Sequence, residues 1–374
     1  MSAINFGTSV SLSDFAHAVA CVGHQVTIIG EGEMGIGKSA TLKTLAKMMP
    51  NHTPAYIDCT LLDLGDFALP FIEQWDPDAH SESTGQRIIT PTGLKITRFA
   101  PNARFKLHLG QPVIVMLDEL GKAMKSVKNV LLTLMLEHRI GDHYLPEGSI
   151  VFATTNLGAE GVGDFLEPHA RNRAAKVRIG KPDADQWVND YAIPHNLDAT
   201  VIAWVKQFPH CLAAFDDPSQ RDNQYINHPG RAGQDACVTP RTLEKTSCIV
   251  SKRAVLGETT TLSLLAGTIG QAAARDMQAF LTVADKLPTW EAVISSPSTA
   301  KLPTDVVAKC IMVFSAVTRV ERDTLDKWME YLGRMDKEWQ ALFGKSVMRS
   351  PTKQSFCVTN RSFKDWALAN EYLF

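Results

Sequence analysis

The stretch GEMGIGKS, residues 32–39, matches the phosphate-loop pattern G-x-x-x-x-G-K-[ST]. An apolar run precedes it (Val26, Thr27, Ile28, Ile29), and a helical pattern follows from Ala40 to Ala46. Strand, glycine loop and helix are the context this pattern requires. Glycines let the backbone wrap closely around an anion with its N–H groups turned inward. The new helix presents its positive end to the same anion. In such a loop Lys38 reaches the β- and γ-phosphates and the Ser39 hydroxyl ligates Mg²⁺. The expected nucleotide-binding set is therefore Gly32, Glu33, Met34, Gly35, Ile36, Gly37, Lys38, Ser39 and Ala40. The bland alternative is a glycine-rich turn between a strand and a helix.

A nucleotide hydrolase also needs a carboxylate for the metal and a group that activates water. Residues 112–119, PVIVMLDE, supply an apolar strand that ends in two acids. A continuous apolar run reads as a strand buried on both sheet faces. At its end Asp118 is expected to hold Mg²⁺ and Glu119 to polarise the attacking water. A further strand, residues 149–156, ends at Asn156, at the edge where open parallel sheets bind ligands. Asn156 is placed to hydrogen-bond the γ-phosphate or the water. Between these strands lies a helical pattern over 127–138 and a hairpin-like excursion, RIGDHYLPEG. After them Arg171, Asn172 and Arg173 stand before a fourth apolar segment, Ala174 to Val177. An arginine there can reach a neighbour's γ-phosphate if subunits form a ring.

The chain has 374 residues, a 45% apolar fraction and a formal net charge of −2. That length allows two or three domains. No apolar run approaches the roughly 20 residues of a membrane span. The N-terminus, MSAINFGTSVSLSDF, has neither a basic start nor an apolar core, so it does not read as a signal peptide. Seven cysteines stand singly, with no C-x-x-C pair, and the histidines show no ligand spacing. This fits a reducing cytoplasm and argues against a disulfide framework or a zinc site. No basic block marks a non-specific nucleic-acid binder.

The order of these signals resembles the AAA+ ATPases, and within them the MoxR type. That group includes the ATPase subunits of cobalt and magnesium chelatases and Rubisco-activase-like proteins. The resemblance covers about residues 15–255. GEMGIGKS looks like Walker A, VIVMLDE like Walker B, and ATTN, ending at Asn156, like sensor 1. EHRIGDHYLPEG, from Glu137, is similar to the family's insert hairpin. ARNR, from Ala170, looks like the arginine-finger segment, with Arg173 the better match and Arg171 a rival. VTPRTL, residues 238–243, looks like sensor 2, which implies that Arg241 reaches from the lid to the nucleotide of its own subunit. Proline at a helix start followed by a solvated arginine is the plainer reading of Arg241. Residues 57–70 resemble a pore-facing loop in which Phe67 could grip a polypeptide, although a core aromatic is the more ordinary reading.

The resemblance implies an α/β P-loop AAA+ core with a five-stranded parallel sheet in the order 5-1-4-3-2. Residues 1–180 are expected to form this domain, 181–255 a helical lid, and 256–374 a helical C-terminal extension, whose stretch near 257–310 resembles the C-terminal part of phage- and prophage-type MoxR ATPases. It further implies ATP and Mg²⁺ as cofactors and a homo-oligomeric, hexameric ring acting as a chaperone-like remodeller. The expected partner is a protein with a von Willebrand factor A (vWA) domain. A nucleic-acid motor or loader shares every ATP-site residue and would show salt-sensitive stimulation by DNA. A small-molecule phosphotransferase is disfavoured by Glu119 beside Asp118 and by the lid arginine. A structural protein without hydrolysis is disfavoured because no ATP-site position lacks its chemistry.

Overall fold

The computed structural model describes residues 9–74, 94–157, 173–228 and 236–373. The chain divides into two compact units, Met1–Gly180 and Lys181–Phe374.

Among the described residues the first unit has nine strands, five of them in one sheet. The strands are β1 (Thr27–Gly32), β2 (Thr53–Asp58), β3 (Ala68–Gln74), β4 (Lys95–Pro101), β5 (Val113–Asp118), β6 (Arg139–Ile140), β7 (His143–Tyr144), β8 (Ile150–Asn156) and β9 (Ala174–Arg178). The main sheet runs β2-β5-β8-β1-β9, and every pairing in it is parallel. Numbering its strands in chain order gives 2-3-4-1-5, the expected order read from the other edge.

Alternation along the central strands explains why they are apolar throughout. In β5, Val113, Val115 and Leu117 enter one buried cluster, while Ile114 and Met116 enter the other. In β8, Val151 and Ala153 join the first cluster and Ile150 and Phe152 the second. Successive side chains point to opposite faces, so a strand covered on both sides must be apolar at every position. Helices α1 (Leu12–Val22) and α2 (Thr41–Met48) cover one face through Phe15, Val19, Leu42 and Leu45. Helix α3 (Lys125–Glu137) covers the other through Val127, Leu131, Leu134 and Met135.

Two antiparallel ribbons flank this core. The short β6–β7 ribbon is the hairpin expected from RIGDHYLPEG. The β3–β4 ribbon has no counterpart in the sequence reading, which treats 57–70 as loop. Its strands leave Leu69, Phe71, Ile72 and Phe99 exposed, so no alternation of buried and polar positions marks them. Phe67 does not present itself to a polypeptide. It is 3% exposed and stacks on Phe105 with ring centroids 5.8 Å apart.

The second unit is helical. Its core gathers Trp187, Trp204, Val250, Met277, Phe314, Trp328, Tyr331 and Phe343 into one apolar cluster. Residues on both sides of position 255 contribute to it. Near the start of this unit a short α-turn, Ala184–Gln186, runs into a π-helical stretch, Trp187–Ala192. Ile193 N–H closes the π turn on Val188 O at 3.0 Å, and the wider winding buries Trp187 and Ala192 together. The helix Pro240–Ser251 starts where Thr239 caps it, its Oγ1 accepting from Thr242 N–H at 3.1 Å, with Pro240 in the first turn. Among the described residues no helix is long and apolar enough to cross a membrane.

Candidate functional site

The loop after β1 turns on two glycines. Gly35 and Gly37 have φ of 72° and 104°, a region that other L-residues rarely enter. The chain then closes a 3₁₀ turn at Lys38–Ala40 and continues as α2. This brings Lys38 back over the loop. Its ammonium donates to Gly32 O at 2.8 Å, to Glu33 O at 2.7 Å and to Asn156 Oδ1 at 2.8 Å. Lys38 is 5% exposed, so the charge is held among oxygens rather than in water.

The register explains why these distant residues meet. Gly32 pairs with Asn156 across β1 and β8, and Asp58 pairs with Asp118 across β2 and β5. All four stand at the carboxyl edge of the sheet, where parallel strands present their ligand-binding residues.

Asp118 is the best-anchored member. Its Oδ1 accepts from Thr154 Oγ1 at 2.5 Å and from Glu119 N–H at 3.1 Å. Its Oδ2 accepts from Ser39 Oγ at 2.6 Å and from Tyr56 OH at 3.0 Å. Four donors on one buried carboxylate fix its plane and leave its negative charge directed at Ser39. Burial and the neighbouring Asp118 carboxylate together push the Tyr56 phenol up to about 12. Cys59, buried beneath the same edge, is raised by desolvation and by the surrounding carboxylates, Asp118 first.

Glu119 has a positive φ of 56°, in the left-handed region. Such a backbone costs about 1–2 kcal/mol in an ordinary residue and concentrates at functional sites. The turn it makes carries the chain from β5 to a 3₁₀ segment at Leu120–Lys122. The Glu119 carboxylate lies half-buried beside Lys122, 3.0 Å from its ammonium, in an ionic contact whose angles do not make a hydrogen bond.

The oxygen donors suit a hard cation. Ser39 Oγ and Asp118 Oδ2 lie side by side at the loop. Mg²⁺ takes one or two protein oxygens and completes its octahedron with phosphate and water. Among the described residues no group of three or more His, Cys, Asp or Glu side chains could hold a metal by itself.

The structure thus brings Lys38, Ser39, Asp118 and Asn156 together, with Glu119 adjoining. It does not bring Arg173 to them. Arg173 is exposed and directly precedes Ala174, the partner of Thr27 at the start of β1. The phosphate loop follows the end of β1, so the two lie at opposite edges, roughly 15–20 Å apart at about 3.3 Å per residue. Arg171 lies outside the described residues. Arg241 is exposed in the second unit, in the first turn of the helix Pro240–Ser251. A cleft of about 880 Å³ in that unit, lined by Asp198, Glu244, Arg253, Asp285 and Trp290 among others, contains none of the expected site residues.

Tyr56 and Thr154 are site residues that the sequence reading misses. Thr154 carried a usable signal, since it stands two places before Asn156 in a strand that is otherwise apolar up to that point. Tyr56 carried none, because its role comes from the β2–β5 pairing.

No family model matches the chain, and no curated protein is significantly similar to it. Solved structures give only faint likenesses. The Thermotoga maritima RuvB Holliday junction branch migration motor shares 15% identity over 86% of this chain and 85% of that one, with a TM-score of 0.34. NtrX from Brucella abortus, in complex with ADP, shares 11% over 97% of this chain and 67% of that one, at 0.32. PCH-2 from C. elegans shares 16% over 72% of this chain and 66% of that one, at 0.30. Likenesses this faint add nothing to the site, which stands on its own geometry.

Proposed function

We propose that this chain is a Mg²⁺-dependent ATPase of the AAA+ type that works as a ring. One observation carries the reading. At the carboxyl edge of the parallel sheet, Lys38 and Asn156 meet at 2.8 Å and Ser39 and Asp118 at 2.6 Å. Three separate segments of sequence converge there on the chemistry of phosphoryl transfer.

Each residue has a role in that chemistry. The loop amides and Lys38 bind the β- and γ-phosphates of ATP. Ser39 and Asp118 would hold Mg²⁺, which when bound neutralises phosphate charge. Glu119 orients the attacking water and accepts its proton as the water oxygen bonds to the γ-phosphorus and ADP leaves. Asn156 holds a γ-phosphate oxygen or that water. Arg173 stands too far from the loop of its own chain to serve it, which supports a role at a neighbour's site. Either Arg173 or Arg171 would act there as the finger. Arg241 would report the nucleotide to the helical unit, with 181–255 as lid and 256–374 as extension.

The finer assignment rests on the sequence motifs alone. These favour a MoxR-type, chaperone-like remodeller of phage or prophage style, acting in the cytoplasm as a hexamer on a protein that carries a vWA domain.

ATPase rate against protein concentration, with light scattering in the presence and absence of ATP, tests the proposal. The rate per subunit is expected to rise with concentration as a ring assembles. Glu119→Gln is expected to lower the rate by about 10²–10⁴-fold and leave nucleotide binding intact. A rate per subunit that stays flat, from a monomer, rejects the ring. An unchanged rate in Glu119→Gln rejects the hydrolytic assignment. Salt-sensitive stimulation by DNA transfers the reading to a nucleic-acid motor.

A further inference from the structure

We infer that Tyr56 is a positioning residue for the metal-binding carboxylate: its phenol holds Asp118 in the orientation that receives Mg²⁺. The inference rests on the ATPase reading above and adds a residue to it.

Tyr56 lies in β2, on the strand next to β5, where it pairs with Met116, two places before Asp118. Side chains two apart along a strand share a face, which lets a long residue at 56 reach the carboxylate at 118. Its ring is half exposed, at 50%, so the side chain is not there to fill a core. Its hydroxyl donates to Asp118 Oδ2 at 3.0 Å, the same oxygen that accepts from Ser39 at 2.6 Å.

A hydroxyl that ligates a cation does so through an oxygen lone pair and keeps its proton, so Ser39 would have to serve the metal and Oδ2 together, whereas Tyr56 would serve Oδ2 alone. Thr154, 2.5 Å from Oδ1, holds only the other oxygen. Among the described residues Tyr56 is the second side-chain donor to Oδ2, so the Tyr56 and Thr154 hydroxyls bracket the carboxylate from either side. A carboxylate held at both oxygens keeps one lone-pair direction for the metal and loses little freedom when the metal binds. Partners of this kind commonly change metal affinity or activity by 10–100-fold when removed.

The test is Tyr56→Phe, which keeps the ring and deletes only the donor. Mn²⁺ serves as the probe, because its free form is read directly by electron paramagnetic resonance. The 374-residue chain is titrated with Mn²⁺ in the presence of a non-hydrolysable ATP analogue. Affinity for the same analogue is measured separately in EDTA. The expected result is Mn²⁺ affinity about 10-fold weaker in Tyr56→Phe, or more, with unchanged analogue affinity in EDTA. Equal Mn²⁺ affinity in the two proteins overturns the inference and leaves the ATPase reading standing. A parallel loss of analogue affinity in EDTA also overturns it, since that marks a general distortion of the loop. Failure of the native protein to retain Mn²⁺ with the analogue overturns the ATPase reading and the inference with it.

Discussion

The two units bury polar side chains for different ends. In the α/β unit Lys38, Asp118, Thr154 and Asn156 are buried, and they bond to one another or to Ser39 and Tyr56 at one sheet edge. In the helical unit several buried polar groups serve backbone, although Gln340 also accepts from Trp366 Nε1 at 2.9 Å. Thr246 and Thr261 donate to the carbonyls of Thr242 and Gly257, one turn back. Lys353 donates to Thr318 O and Val320 O at the end of the helix Val306–Arg319. Backbone must be satisfied wherever it is buried, so side chains that bond to it need no further explanation. Side chains from the turn that follows the phosphate loop and from β2, β5 and β8 that converge on each other are costly to assemble, and such convergence marks a site. Burial alone does not mark the site, since Thr27 and Ser149 of the α/β unit also bond to backbone carbonyls; the convergence of several side chains on Asp118 does.

The largest effect should come from a residue outside both buried sets. Arg173→Ala is expected to lower the ATPase rate of the assembled protein by about 10³–10⁵-fold while the ring still forms by light scattering. Arg171→Ala run beside it identifies the finger. A small effect from both substitutions would return all the chemistry to the converging set at the carboxyl edge and remove the shared site.

Next comes the apolar core of the helical unit. Trp328 is fully buried against Trp290, Tyr331 and Phe343. Trp328→Ala is expected to destabilise that unit by about 3–5 kcal/mol, read from the denaturant midpoint. Affinity for nucleotide in EDTA should be unchanged under native conditions. A matching loss of nucleotide affinity would break the comparison, since it would tie the helical core to the loop.

The smallest effect sharpens the contrast between bonding to backbone and bonding within a site. Tyr331 donates to Lys301 O at 2.9 Å, and burial pushes its phenol up to about 12. Between the ordinary value near 10 and that raised value, the unfolded chain gives up a proton that the folded chain keeps. More protons are then bound in the folded state, so stability falls as pH rises through that window and is fully present below it. Tyr331→Phe should cost about 1 kcal/mol at neutral pH and make thermal melting between pH 10 and 12 less steep. Equally steep melting in native and variant proteins would assign the alkaline loss to other groups.

Much of the site could be read along the chain because its parts are local. Gly35, Gly37, Lys38 and Ser39 lie within five positions, and their spacing is itself the geometry of an anion cradle. Asp118 and Asn156 each end an apolar run, which places them at a strand terminus before any pairing is known. The strand order also followed from the sequence, through the resemblance those motifs carry. Other features left no such trace. Tyr56 follows Ala55 and precedes Ile57 as an ordinary strand aromatic would. Only the β2–β5 pairing puts its hydroxyl on Asp118. The β3–β4 ribbon escaped because it buries neither face and so lacks a hydrophobic period.

The sequence by itself therefore determined the phosphate loop, the acidic strand end and the polar strand end, because each depends on residues adjacent in the chain. Tertiary structure alone decided that Asp118 is held from both sides, by Thr154 and Tyr56, and that Arg173 stands at the opposite edge from its own loop. The physical reason is register. Parallel pairing is set by how two faces of apolar side chains pack between helices, and a shift of one residue would turn every polar group at the carboxyl edge to the other side.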